Sequence, residues 1–150
     1  MSLRSKIWIL IGAVSILPLC PAVALEKTVP FELDQWIELK ATDGPVTLHR
    51  IRLASLGGIS KSKLFRPGGS SYLTDVQVQL EFSNDATSDW DAVIRFEWID
   101  SAGKVIDGYD GTESLDSEAR FEQQTMSLST LRYGLDRAKK LRIQITVRPD

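Results

Sequence analysis

The sequence predicts an all-β fold, an antiparallel two-sheet sandwich of about seven strands with one short helical turn. Residues 76–82 and 141–147 alternate strictly between apolar and polar side chains. Successive side chains of a strand point to opposite faces, so this period indicates strands with one buried face. Turn residues separate several such stretches, and only one short stretch has helical periodicity. These patterns are typical of a sandwich of short strands.

The predicted strands cover residues 31–40, 46–55, 75–84, 90–100, 104–109, 119–128 and 141–149. In the fourth of these, Trp98 shares the parity of Ile94 and Phe96, which predicts that its ring fills the space between the sheets. Gly103 follows in a turn, where it tolerates a positive φ. In the last strand, Leu141, Ile143, Ile145 and Val147 are predicted to point inward.

Residues 129–140 form the helical candidate. Thr130 is a suitable N-cap, and Leu131, Leu135 and Ala138 make a short apolar face. Gly134 costs a helix about 1 kcal/mol relative to Ala, so one or two turns are expected.

The first 24 residues have the layout of a secretory signal. Arg4 and Lys6 precede a charge-free stretch from Ile7 to Leu25, and Ala22-Val23-Ala24 offers a small-residue cleavage site. Cleavage there leaves a single domain, residues 25–150, in the periplasm or outside the cell, and removes the only cysteine, Cys20. Two alternatives stay open. The charge-free stretch is just long enough to anchor the chain across about 30 Å of hydrocarbon, and Cys20 could carry a lipid, although Leu19 before it is not small.

Residues 76–147 contain a short motif that resembles the FxLYD type of extracytoplasmic immunoglobulin-like domain. The stretch "FEWID" lies where that family has Phe-x-Leu-Tyr-Asp, so Phe96 and Asp100 match, whereas Trp98 and Ile99 do not. The resemblance covers about half of the chain. It implies an immunoglobulin-like sandwich with an accessory role in the envelope or the secreted space, and it implies no chemistry.

Charge is segregated along the chain, although the net charge is only −2. Connections of an antiparallel sandwich alternate between its ends, so the loops 84–91 and 110–119 should share one end, opposite segments 55–71 and 130–140. The expected acidic end holds Asp85, Asp89, Asp91, Asp110, Glu113, Asp116 and Glu118, and the expected basic end holds Lys61, Lys63, Arg66, Arg137, Lys139 and Lys140. Five of these acids, Asp85, Asp89, Asp91, Asp110 and Glu113, are the alternative candidates for a Ca²⁺ site, because Ca²⁺ prefers oxygen ligands. No cofactor is expected, since these loops match no Ca²⁺-loop pattern and solvated acidic loops are the more common explanation of such a pattern.

The sequence predicts a non-enzymatic interaction module. Its single histidine, His49, lies in a strand beside Arg50, which does not favour a serine triad or a histidine-rich zinc site. Trp36 falls on the polar parity of its strand, and Trp90 and Tyr109 border the acidic end, so these three are the candidate binding residues. The expected partner is another envelope or secreted protein. Nucleic acid is not expected as a partner. Contact with a membrane is expected only if the N-terminal segment is retained. The alternative is a carbohydrate- or calcium-binding sandwich module.

Overall fold

The computed structural model describes residues 25–56 and 72–150. The predicted signal segment with Cys20, and the predicted basic residues Lys61, Lys63 and Arg66, lie outside this range. The described elements are β1 (Leu25–Pro30), β2 (Trp36–Asp43), β3 (Val46–Ser55), β4 (Leu73–Asn84), β5 (Trp90–Ile99), β6 (Val105–Leu115), β7 (Ala119–Leu131), α1 (Arg132–Arg137) and β8 (Lys140–Pro149).

The strands form two sheets of four, in the orders β1-β8-β5-β6 and β2-β3-β4-β7. All neighbouring strands are antiparallel. The predicted all-β sandwich is therefore confirmed, with eight strands in the described part of the chain instead of about seven. This strand order differs from that of a seven-strand immunoglobulin domain, whose sheets hold four and three strands.

The core lies between the sheets and follows the predicted parities. Trp98, Ile143 and Ile145 are completely buried, and so is Phe96. On the facing sheet, Val78 and Leu80 of β4 pack into the same cluster. Burial of these large apolar side chains is the main source of stability for a domain of this size.

The predicted boundaries of two strands are wrong by five residues or more. Residues 31–35 connect β1 to β2 and are not part of a strand, and Asp34 there has a φ of 63°. Residues 110–115 were expected in a loop but complete β6, where they pair with β5 from Arg95 to Trp90. Their Gly, Asp, Ser and Thr content is typical of a loop, and pairing with a central strand overrides that preference.

A line of bulges crosses the sheet β2-β3-β4-β7. The register shifts between Glu38 and Ala41 in β2 and between Leu48 and Arg50 in β3. It shifts again between Phe82 and Asn84, where β4 pairs with β7. A bulge bends its strand and redirects a side chain, so this line sets the direction of His49 in β3.

Helix α1 follows β7 directly, and its N-cap differs from the prediction. The cap residue is Leu131, whose side chain makes no capping hydrogen bond. Thr130 instead donates its hydroxyl hydrogen to Asp107 Oδ2 at 2.7 Å. Gly134 is buried against Asp107, and a Cβ at position 134 would lie 3.2 Å from the Cβ of that residue. A glycine therefore allows the helix to approach β6 closely. Neither this helix nor any other helical part of the described chain is long and apolar enough to cross a membrane.

Candidate functional site

The connections of the sandwich collect at two ends. The upper end is formed by the β2–β3 turn at 44–45, the β4–β5 loop at 85–89 and the β6–β7 turn at 116–118. The lower end is formed by the β1–β2 connection at 31–35, the β5–β6 turn at 100–104 and α1. Leu56 and Tyr72, which flank the 57–71 segment, also lie at the lower end. The predicted separation of 84–91 from 130–140 is confirmed.

The upper end is held together by hydrogen bonds between its three connections. Glu118 N donates to Ala86 O at 2.9 Å, and Asp85 N donates to Pro45 O at 3.0 Å. Ser117 N donates to the Asp89 carboxylate at 2.8 Å. Each bond provides an acceptor for a backbone N–H group that would otherwise form its hydrogen bond with water.

Asn84 is the centre of this network. It is completely buried. Its amide nitrogen donates to Leu115 O at 3.1 Å and to Ser88 O at 3.2 Å, and its oxygen accepts from Ala86 N at 3.0 Å. One side chain thus joins the β4–β5 loop to the end of β6.

The five candidate Ca²⁺ ligands are not brought together. Asp110 and Glu113 lie within β6, because that strand is longer than predicted. There Asp110 lies 3.5 Å from Arg95, and Glu113 accepts from Gln124 at 3.2 Å. Asp91 lies 3.4 Å from Arg148. Among residues 25–56 and 72–150, no three His, Cys, Asp or Glu side chains are grouped so that they could hold a metal ion.

The lower end exposes large apolar side chains. Five of the six large hydrophobic residues that are exposed in the described chain lie there: Leu56, Tyr72, Val105, Leu131 and Tyr133. Tyr72 is 70% exposed and Tyr133 57%. Contiguous exposed apolar surface is uncommon on monomers and marks interaction sites.

Tyr133 stands between two shallow pockets. One pocket, of about 280 Å³, is lined by Tyr72, Leu131, Arg132, Tyr133 and Asp136. The other, of about 180 Å³, is lined by Asp100, Lys104, Val105, Ile106, Tyr133 and Arg137. The guanidinium of Arg137 lies 4.8 Å from the centre of the Tyr133 ring. We call the surface formed by Tyr72, Val105, Leu131, Arg132, Tyr133 and Arg137 the lower-end patch.

Asp107 fixes the backbone beneath this patch. Its carboxylate accepts from the Thr130 hydroxyl at 2.7 Å and from Leu131 N at 3.0 Å. Burial alone would raise the pKa of Asp107, but the hydrogen bonds from Thr130 and from the backbone of Leu131 and Gly108 lower it below its usual value. The backbone of Tyr72 is fixed by a hydrogen bond that Arg132 N donates to Tyr72 O at 2.8 Å. The patch therefore rests on a fixed backbone.

Trp36 lies on the outer face of β2, as its parity predicted, but the ring is not a bare platform. The guanidinium groups of Arg50 and Arg52 lie 4.4 Å and 4.8 Å from its centre. Arg50 also forms a 2.8 Å salt bridge with Glu81, and the hydrogen bond of that pair raises the pKa of the Arg50 guanidinium. The ring is half-buried as a result.

Trp90 and Tyr109 are both half-buried against the core. The Trp90 ring covers Gly44, where a Cβ would lie 3.1 Å from the ring. The ring of Tyr109 lies over Gly111, where a Cβ would clash with the tyrosine hydroxyl oxygen. Burial, together with the charge of Glu113, raises the pKa of Tyr109. Both aromatic rings thus pack over glycines of the same sandwich.

His49 has an arrangement that sequence reasoning missed. Its Nε2 lies 2.8 Å from Ser83 Oγ, and its ring stacks on Phe121 with centroids 4.3 Å apart. Ser83 Oγ also accepts from Phe121 N at 3.0 Å. The serine hydroxyl therefore links β3, β4 and β7 at the point where the β4–β7 register shifts. The exposed Phe121 ring covers the imidazole. Only the pairing of three bulged strands brings these residues together, so the sequence offered no signal for it.

No family model matches the chain, and no curated protein matches it.

Proposed function

We propose that this protein is an exported, non-enzymatic interaction module of the cell envelope or secreted space, and that the lower-end patch binds its partner. The observation that carries the proposal is the concentration of exposed large apolar side chains at this end. Exposing Tyr72 and Tyr133 costs free energy in water, and covering them by a partner recovers it.

The composition of the patch favours a protein partner. Tyrosine and arginine are enriched among the residues that contribute most to protein interfaces. In the lower-end patch, Tyr133 lies between Arg132 and Arg137, and both arginines are exposed. A net charge of −2 does not favour nucleic acid.

Export and the envelope location rest on residues 1–24 and on the resemblance to FxLYD-type domains. Mass spectrometry of the protein from its own cells tests this part separately. We expect a mature N-terminus at Leu25. A mass that retains residues 1–24 would make the segment an anchor, and a lipid on Cys20 would make the protein a lipoprotein.

Site-specific photo-crosslinking in living cells tests the patch. A photoreactive phenylalanine analogue at position 133 or 72 should crosslink to one protein species. The matched control is position 121, because Phe121 is as exposed as Tyr72 but lies on the face of the sheet β2-β3-β4-β7. Equal crosslinking at all three positions, or crosslinking to lipid alone, would contradict the proposal.

The Tyr133→Ser variant measures the contribution of the central ring. Loss of an interface hot spot costs about 2 kcal/mol or more, so binding to the crosslinked partner should weaken at least ~30-fold. Phe121→Ser is the control and should bind as the parent does. A Tyr133→Ser protein with unchanged affinity would remove the patch from the interface.

A further inference from the structure

The four edge strands of the sandwich differ in how they are protected against pairing with another chain. Sheet edges carry free backbone N–H and C=O groups, and proteins block them with charges, prolines, bulges or short length. β1 is short, contains Glu26 and Lys27 and ends at Pro30. β2 is broken by its bulge, with Lys40 at a φ of 52°. β6 carries Asp107, Asp110 and Glu113.

The edge formed by β7 lacks every one of these protections over nine residues. The stretch Gln123–Leu131 contains no charged residue, proline or glycine. From Glu122 to Leu131, the strand pairs with β4 without a register shift. Nine residues at about 3.3 Å each make a straight edge of about 30 Å.

The side chains of this edge favour a strand like itself as the partner. On the outer face, Gln123, Thr125, Ser127 and Ser129 are exposed hydrogen-bonding residues, whereas Met126 and Leu128 point into the core. Directly opposed Ser and Thr residues stabilise a strand pair. A second copy of β7 presents the same uncharged residues and meets no like charge.

One register also brings opposite charges together. When two copies of β7 run antiparallel about a two-fold axis at Ser127, Thr125 of one copy faces Ser129 of the other. In the same register, Glu122 reaches the position opposite Arg132, which directly follows β7. The two-fold axis repeats this pair at the other end of the interface. An ion pair that closes both ends of an uncharged strand selects this register over its neighbours.

We propose that the protein forms a symmetric dimer in which the β7 strands of two copies pair antiparallel about Ser127, so that two four-strand sheets become one sheet of eight. Of the lower-end patch, this register places Leu131 and Arg132 in the interface and brings Tyr133, the second residue of α1, toward Phe121 of the other copy, whereas Tyr72, Val105 and Arg137 lie outside β7. Position 72 therefore tests partner binding separately from dimerisation, and position 127 tests dimerisation alone.

Cysteine crosslinking tests the register directly. In Ser127→Cys, the two new cysteines face each other with Cα atoms about 4.5–5.5 Å apart, within the range that a disulfide spans, and they should form an intermolecular disulfide under mild oxidation. The matched control is Gln123→Cys on the same face of the same strand. In the proposed register, its two copies are eight residues apart along the strand, about 27 Å, and should not crosslink. The unsubstituted protein, with Cys20 as its only cysteine, sets the background.

A second variant tests dimerisation without crosslinking. Ser127→Lys places two positive charges face to face at the axis, and we expect the dimer dissociation constant in analytical ultracentrifugation to rise at least ~10-fold. Ser114→Lys, on the exposed face of edge strand β6, should leave it unchanged. Circular dichroism of both variants verifies the fold.

Three results would overturn the proposal. The first is a monomeric mass for the unsubstituted protein at hundreds of micromolar. The second is crosslinking of Gln123→Cys in preference to Ser127→Cys, which would mean a different register. The third is crosslinking of position 127 to another protein and not to itself, which would assign the edge to a foreign strand.

Discussion

The upper and lower ends of the sandwich are both built from connections between strands, yet their side chains have different roles. At the upper end, polar side chains form hydrogen bonds with the backbone, as the buried Asn84 and the exposed Asp89 carboxylate do. At the lower end, the backbone is held by Asp107, while Tyr72 and Tyr133 point into solvent. An acidic loop that satisfies its own backbone donors is explained by folding alone. Exposed aromatic rings above a fixed backbone are not explained in this way, and the proposal that the lower end binds a partner rests on them.

The largest effect is expected from breaking the upper end. Asn84→Leu removes three hydrogen bonds from a buried side chain and leaves two carbonyls and one N–H without partners. The free energy of unfolding should fall by about 3 kcal/mol. Urea denaturation measures it, with Thr87→Ala in the same exposed loop as the control, which should change by less than about 0.5 kcal/mol. A small effect of Asn84→Leu would mean that the loop is held by other contacts.

A smaller effect is expected at the carboxylate beneath the lower-end patch. Asp107→Ala removes the charge-assisted hydrogen bonds from Thr130, Leu131 and Gly108 to a half-buried carboxylate and should cost about 2 kcal/mol. Thermal unfolding at neutral pH measures the loss. Asp110→Ala, in the same strand but exposed, is the control and should cost less than about 0.5 kcal/mol.

The same carboxylate predicts a dependence on pH. Since the pKa of Asp107 is lowered in the folded protein, its contribution is complete above the pKa of an unfolded aspartate, near 4. The contribution is lost as the pH falls through the folded value. In denaturation between pH 5 and about 2, Asp107→Asn should therefore lose less stability than the parent. Identical slopes would show that Asp107 is not stabilised as a carboxylate.

The smallest effect on stability is expected at the exposed rings. Tyr133→Ser and Tyr72→Ser should each shift the free energy of unfolding by less than about 0.5 kcal/mol, because neither ring is buried. Differential scanning calorimetry tests this directly. A loss of several kcal/mol would mean that the rings stabilise the fold, and the contrast between the two ends would disappear.

The strict alternations in the sequence predicted the core well. The inward positions of β4, β5 and β8 are those that the alternation indicated, because a half-buried strand must alternate. The separation of the two ends also followed from sequence order. The full length of β6 could not be predicted, since "DGTES" has the composition of a loop and becomes a strand only by pairing with β5.

The candidate site was harder to predict, because it depends on contacts between distant strands. The parity of Trp36 correctly predicts that its side chain lies on the outer face of β2. Arg50 and Arg52 contact its ring only because of the register in which β2 pairs with β3. Tyr133 and Tyr72 are 61 positions apart in the sequence. They come together only when β4 pairs with β7, so no local pattern marks the lower-end patch.

The position of β1 imposes an order on folding. Among the strands that the structure describes, it pairs only with β8, so Leu25 lies opposite Ile145, which is 120 positions later in the sequence. A chain is synthesised from its N-terminus, and contacts between distant residues close slowly because of the entropy lost in the loop. The meander β2-β3-β4 can pair as soon as it is made. β1 has no partner until the last strand has left the ribosome, so the sheet β1-β8-β5-β6 is completed only after synthesis of the chain has ended.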